Sequence, residues 1–221
     1  MYLEWVLIAV FVVAGPIIFW FLVRKGAMRS SEHFEALAEQ FSLQLTTGEP
    51  RMFGFIRPEP FVHGTYRGRE VSIAAGGRGL QGTREVETVI KIAAKTGNFR
   101  LQMTRSGRLA KMKQRDAGKD KPFKTGLPDF DGPFDLRGNR APETARLLTP
   151  DMRQRMLEAL SGSTGTLYLR NDMGVFVEYG LITSEEQRLK AAQRLDLLID
   201  MAEGVEAMQV SAPDAAETSE A

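Results

Sequence analysis

The chain has 221 residues, a formal net charge of +1 and 43% hydrophobic residues, enough for a real hydrophobic core. It holds no cysteine, which excludes disulfides, thiolate metal sites and cysteine nucleophiles. His33 and His63 are the only histidines, so a His-dependent triad or a multi-His metal site would have to draw on one or both.

From Leu3 to Val23 the only charge is Glu4, and at ~1.5 Å of rise per residue the run reaches about 30 Å, the thickness of a bilayer's hydrocarbon core. A cleaved signal peptide would need a basic start, a shorter apolar run and a small-residue cleavage site, and this run has none of them. Trp5 and Trp20 suit the aromatic belts at the two interfaces, and Arg24, Lys25 and Arg29 follow at once. The expectation is an uncleaved anchor over residues 1–25. Its N-terminus lies outside and everything after residue 25 in the cytosol, because cations concentrate on the cytoplasmic side. Gly15-Pro16 inside the run predicts a bend, which membrane helices tolerate.

Residues 26–60 read as a juxtamembrane helix and loop. Ser30-Ser31-Glu32 opens the helix, and Phe34, Leu37, Ala38 and Phe41 share one face at i, i+3, i+4, i+7 spacing. Thr46 to Pro60 is rich in turn formers. Residues 61–208 then read as one α+β domain. Phe61–Tyr66 and Glu70–Ala74 are strands joined by Arg67-Gly68-Arg69. Val86, Thr88, Ile90 and Ile92 alternate with Glu87, Val89 and Lys91, as a half-buried strand does. Thr96-Gly97-Asn98 then predicts a tight turn into the strand Phe99–Met103, making a second hairpin.

Residues 105–125 form a basic, flexible loop. Arg105, Arg108, Lys111, Lys113, Arg115, Lys119, Lys121 and Lys124 are opposed only by Asp116 and Asp120. Two short helices are expected next, one started by Pro142 and carrying Ala145 and Leu148. The other opens with a capping hydroxyl, a Pro and an acid at Thr149-Pro150-Asp151. A third hairpin joins Thr166–Leu169 to Val175–Tyr179 around Asn171-Asp172-Met173-Gly174. A long helix closes the domain, capped by Thr183-Ser184-Glu185-Glu186, with Leu189, Ala192, Leu195, Ile199 and Ala202 as its buried stripe. Residues 209–221, with Asp214, Glu217 and Glu220 among small residues, read as a disordered acidic tail. The expected fold is thus an N-terminal transmembrane helix plus an antiparallel sheet of about three hairpins packed by helices.

Two segments are familiar: Phe130-Asp131 followed by Phe134-Asp135-Leu136-Arg137-Gly138, and Ala145-Arg146-Leu147-Leu148-Thr149-Pro150 at a junction between helices. With the hairpin after them, they resemble uncharacterised bacterial single-pass membrane-anchored proteins that carry a cytosolic domain of unknown function. The resemblance implies one compact domain on a bacterial cytoplasmic (inner) membrane. It carries over no catalytic residue, because apolar positions and a helix cap serve folding.

Gly77-Arg78-Gly79-Leu80-Gln81-Gly82 matches G-x-G-x-x-G after a strand, but a strand follows where a dinucleotide site needs a helix, and Gln102 stands where the acid should be. Thr83 replaces the lysine of a phosphate-binding loop. Asp129, Asp131 and Asp135 could hold a hard cation or form an acid/base pair, although aspartates beside Gly132-Pro133 more often cap turns. No catalytic residue, cofactor or metal is assigned. The expectation is a non-enzymatic interaction module that binds a protein or anionic-lipid partner at the cytosolic face. Trp5, Trp20, Arg24, Lys25, Lys111, Lys113, Arg115, Lys119 and Lys121 are its candidate membrane contacts. Nucleic acid is not an expected partner, since the basic run lacks interleaved aromatics for stacking. The alternatives are a membrane-associated enzyme using Asp/Glu chemistry and a small-ligand sensor.

Overall fold

Strands with alternating apolar residues need neighbouring strands and a cover for one face, and among the described residues nine strands share one sheet. The computed structural model describes residues 14–15, 18, 28–48, 59–78, 85–106 and 120–210. The strands are β1 (Gln44–Thr46), β2 (Phe61–Tyr66), β3 (Arg69–Arg78), β4 (Glu85–Ala93), β5 (Leu101–Arg105), β6 (Pro122–Phe123), β7 (Phe134–Gly138), β8 (Thr166–Arg170) and β9 (Met173–Tyr179). Their spatial order is β1-β2-β3-β4-β9-β8-β5-β7-β6, with every pairing antiparallel. The helices are α1 over residues 28–41, α2 (Pro128–Asp131), α3 (Ala141–Leu147), α4 (Pro150–Ala159) and α5 (Glu185–Val210).

The fold is α+β, with a large antiparallel sheet and a long C-terminal helix. Two of the three expected hairpins are present. In the turn between β2 and β3, Arg67 and Gly68 both take positive φ, and so do Asn171 and Asp172 between β8 and β9. Two such residues in a two-residue loop match the right-handed twist of the flanking strands.

The second expected hairpin is overturned. β4 and β5 do not pair; the β8–β9 hairpin lies between them. β4 pairs with β9 over seven positions, from Glu87 opposite Tyr179 to Ala93 opposite Met173. The turn at Thr96-Gly97-Asn98 exists, but it is tied to the neighbouring hairpin. Asp172 accepts hydrogen bonds from the Thr96 and Gly97 amides, its own amide donates to the Thr96 hydroxyl, and its carbonyl accepts from Ala94. Local turn chemistry was legible; the strand that fills the gap is 70 or so residues away and is set by non-local pairing.

One sheet face is the core face. Val62, Val71, Ile73, Ile90, Ile92, Phe176, Leu167, Leu169, Leu101, Met103, Phe134 and Leu136 are all buried there. α5 packs across β4 and β9, and α3 and α4 pack on α5. α1 adds the expected stripe of Phe34, Leu37, Ala38 and Phe41, all buried, with Phe41 edge-on to Tyr66 at 4.8 Å. Burying each such side chain contributes roughly 1.5–3 kcal/mol.

The sheet starts earlier than the turn-rich stretch suggests, because β1 pairs with β2 through Leu45 opposite Val62. β5 and β6 likewise take the ends of the basic stretch, through Arg105 and Pro122–Phe123. Thr149 caps α4 by accepting from the Met152 amide at 3.3 Å. On α5 the cap sits one residue later than expected: Ser184 accepts from the Gln187 amide, and the Gln187 side chain accepts from the Thr183 amide. Leu189 is not part of the buried stripe but 47% exposed, while Leu198, Met201 and Val205 join it.

Among the described residues no helix is long and apolar enough to cross a membrane. The expected anchor lies outside them, apart from Ala14, Gly15 and Ile18, which are helical. The tail expected over 209–221 also lies outside them, save Gln209 and Val210, which belong to α5.

Candidate functional site

The face of the sheet away from the core carries the alternate residues of each strand, and near one sheet end it holds a shallow depression of about 640 Å³. Cross-strand register builds it. His63 of β2 is opposite Ser72 of β3, and Ser72 is opposite Lys91 of β4. At ~4.8 Å between strands these three side chains form a row about 10 Å long. Thr65, Glu70, Ala93 and Met173 form the next row along the same strands, toward the sheet end, with Asp172 beside Met173.

The His63 ring is oriented by two contacts. Its Nδ1 is 3.2 Å from the Gln44 carbonyl oxygen of β1, and the ring lies against Phe61 with centroids 5.1 Å apart. A carbonyl only accepts, so Nδ1 carries the proton, and Nε2 of the neutral ring is an acceptor that becomes a donor on protonation. Lys91 is exposed and makes no ion pair among the described residues. Phe61 and Met173, 38% and 43% exposed, add apolar surface at the margins. The result is an open surface of mixed polarity: ammonium, imidazole, two hydroxyls, two carboxylates and one thioether.

The platform under this site is held by charge. Tyr66 donates to Asp196 at 3.2 Å, Arg67 pairs with Asp200 and Glu203 at 2.6 and 2.7 Å, and Arg69 makes two 2.7 Å bonds to Glu206. These contacts fasten the β2–β3 hairpin to α5. The Arg69 hydrogen bonds, against a burial penalty, hold the Glu206 carboxyl below its usual range. Burial pushes Asp196 up, with the nearby Asp200 charge adding to it and the Tyr66 hydroxyl opposing it.

The residues singled out by sequence fall elsewhere. Trp5, Trp20, Arg24, Lys25, Lys111, Lys113, Arg115 and Lys119 lie outside the described residues. Lys121 is exposed, and its carbonyl accepts from the Gly138 amide beside β6. Arg105 donates to the Leu160 carbonyl, Lys124 to the Asp131 carbonyl, and Asp120 pairs with Arg100 at 3.0 Å. The three aspartates do not meet in one pocket. Asp131 accepts from the Thr125 amide and hydroxyl and the Gly126 amide, Asp135 sits beside Arg137 on β7, and Asp129 is exposed on α2. Burial works against the charged form of Asp131, but these hydrogen bonds and the Lys124 charge outweigh it, so its carboxyl titrates below the usual range. Among the described residues no group of three or more His, Asp or Glu side chains could hold a metal ion. Gly77 and Arg78 end β3 opposite Val86 and Glu85 of β4, so the glycine motif leads into a strand. His33 lies 3.9 Å from Glu185.

Sequence reasoning passed over Ser72, Lys91, Thr65, Glu70 and Met173. The signal for Lys91 was present in the alternation of β4, where it occupies a position off the core face. Nothing in the local sequence marks it as a neighbour of His63, because two strand pairings separate them.

No family model and no curated protein matches the chain. Among solved structures, the crystal structure of the mycobacterial trehalose monomycolate transport factor A, TtfA, is similar. The TM-score is 0.51 at 15% identity, over 80% of this chain and 94% of that one. At that identity the likeness concerns the fold: the same arrangement of sheet and helices over most of both chains.

Proposed function

We propose that this chain is a membrane-anchored, non-enzymatic interaction module of a bacterial cytoplasmic membrane. The run from Leu3 to Val23 holds it to the bilayer with the N-terminus outside, and the α+β domain faces the cytosol. The depression across β2, β3 and β4 receives a segment of a protein partner. The observation that carries this reading is the row His63, Ser72, Lys91 on a part of the sheet that no described element covers, with a lysine that no described residue neutralises. Small-molecule and cofactor sites bury most of their ligand. A shallow surface of mixed polarity suits a peptide better, since a peptide offers carboxylates, amides and apolar side chains together. Lys111, Lys113, Arg115, Lys119 and Lys121 supply a second contact, to anionic lipid, worth about 1 kcal/mol for each cation near the surface. TtfA is named a transport factor; for this chain that adds the proposal that the partner belongs to a membrane transport assembly.

The test is co-purification of the tagged full chain in mild detergent after crosslinking in cells, beside Lys91→Glu and Ser72→Arg variants. A stoichiometric partner that is lost with both variants, while membrane association is kept, is the expected result. Equal recovery of the partner with all three chains would remove the depression as the site. Recovery of the bare protein alone would remove the interaction reading.

A further inference from the structure

Two opposite charges line the depression without partners. Lys91 of β4 and Glu70 of β3 are both exposed, and among the described residues neither makes an ion pair or a side-chain hydrogen bond. They share a sheet face but do not pair with each other. Ser72 is opposite Lys91, and Glu70 is two residues before Ser72 on β3. The two charges are therefore diagonal across neighbouring strands, with backbones about 7–8 Å apart. The other polar groups nearby are already engaged. The Asp172 carboxylate accepts the Thr96 and Gly97 amides, and the His63 ring is turned to the Gln44 carbonyl. Arg69 is matched by Glu206, and Arg67 by Asp200 and Glu203. The depression thus presents one cation and one anion at a separation set by strand register.

We propose that the partner segment lies extended across β3 and β4 and carries an acidic and a basic residue two positions apart, the acid over Lys91 and the base over Glu70. The proposal rests on the partner reading above and names the chemistry of that partner.

The spacing follows from strand geometry. Extended backbone advances ~3.3 Å per residue and turns side chains i and i+2 to one face, about 6.6 Å apart, close to the Lys91–Glu70 diagonal. Adjacent residues of an extended segment point to opposite faces, and residues four apart are separated by about 13 Å, so neither spacing serves both charges. The Ser72 hydroxyl, opposite Lys91, offers a donor and an acceptor to the segment's backbone. Exposed pairs of this kind add little affinity each, so charge here selects the segment more than it tightens the complex.

The test is selection of a phage-displayed random peptide library on the full chain in mild detergent, beside Lys91→Glu and Glu70→Lys variants. Both side chains are exposed and unpaired, so urea unfolding of the variants should match that of the wild type. Wild type should enrich one acid and one base at a separation of two, several-fold over other separations. Lys91→Glu should instead enrich two bases at that separation, and Glu70→Lys two acids. The preference should fade at ~1 M salt, where the screening length falls to about 3 Å. The same pairs on all three proteins, no enriched pair on any of them, or a maximum at three or four, the spacing of a helix face, would overturn the proposal. The co-purification described above is read separately. Loss of the cellular partner in Lys91→Glu without a spacing preference would sink this chemistry and leave the partner reading. Charge-matched enrichment with the cellular partner unaffected would uphold this chemistry and remove the partner reading.

Discussion

Arg194 and Glu178 form the most buried charged contact among the described residues and set the scale for what one side chain can cost. The guanidinium of Arg194 pairs with Glu178 at 2.5 Å, donates to the Ala159 carbonyl and lies 4.6 Å over the Phe176 ring. Burial lowers the Arg194 pKa, and the Glu178 carboxylate opposes that. Removing one partner strands the other, so Arg194→Ala should cost about 3 kcal/mol or more in urea unfolding. Arg194→Met with Glu178→Gln should recover part of that loss, because it removes the charge and keeps volume. Asp131 gives a pH prediction. Its folded pKa is depressed, so its contribution is present above the unfolded value of ~3.9 and is lost as pH falls through the lower folded value. Asp131→Asn should therefore destabilise the protein at neutral pH, and the gap from wild type should close as pH falls through the depressed folded value.

At the scale of elements, the β8–β9 turn decides how the sheet is ordered. Asp172 takes φ of 56° and closes four hydrogen bonds around the segment between β4 and β5. Asp172→Ala keeps the awkward backbone and loses the side-chain bonds, and should cost about 2 kcal/mol by thermal or urea denaturation. Gly138 marks another constraint, since a Cβ there would press into the Arg100 carbonyl where β7 meets β5. Gly138→Ala should cost about 1–3 kcal/mol, as overpacking does, with no effect on membrane association. By contrast Thr149→Ala should cost only ~1 kcal/mol, the usual worth of a helix cap.

For the whole molecule, anchoring and folding should separate. The described residues share one continuous core from α1 to α5. A chain lacking residues 1–25 should keep its unfolding transition and lose recovery in the membrane fraction; loss of the transition would make the segment part of the fold. Changing Lys111, Lys113, Arg115, Lys119 and Lys121 to Gln in the full chain should weaken binding to anionic vesicles with no change in stability. Unchanged vesicle binding would remove the lipid contact.

Local chemistry was readable from residues alone. The stripe of Phe34, Leu37, Ala38 and Phe41, the Thr149-Pro150-Asp151 start, the turns at Arg67-Gly68 and Asn171-Asp172, and the alternation of β4 each depend on neighbours within a few positions. Even there precision was limited: the α5 cap lies one residue further on, and Leu189 faces solvent, because packing against α1, α3 and α4 selects the buried arc. The order of strands was not readable. Whether β4 pairs with β5 or with β9 depends on closure over some eighty residues and on how well the β8–β9 hairpin fills the gap. The depression follows from that order, since His63, Ser72 and Lys91 become neighbours only once β2, β3 and β4 are in register. Sequence by itself determined the apolar N-terminal run, the absence of cysteine chemistry and the α+β class, all properties of composition and short periodicity. Tertiary structure alone decided which polar side chains share a surface, because that depends on pairings between strands far apart along the chain.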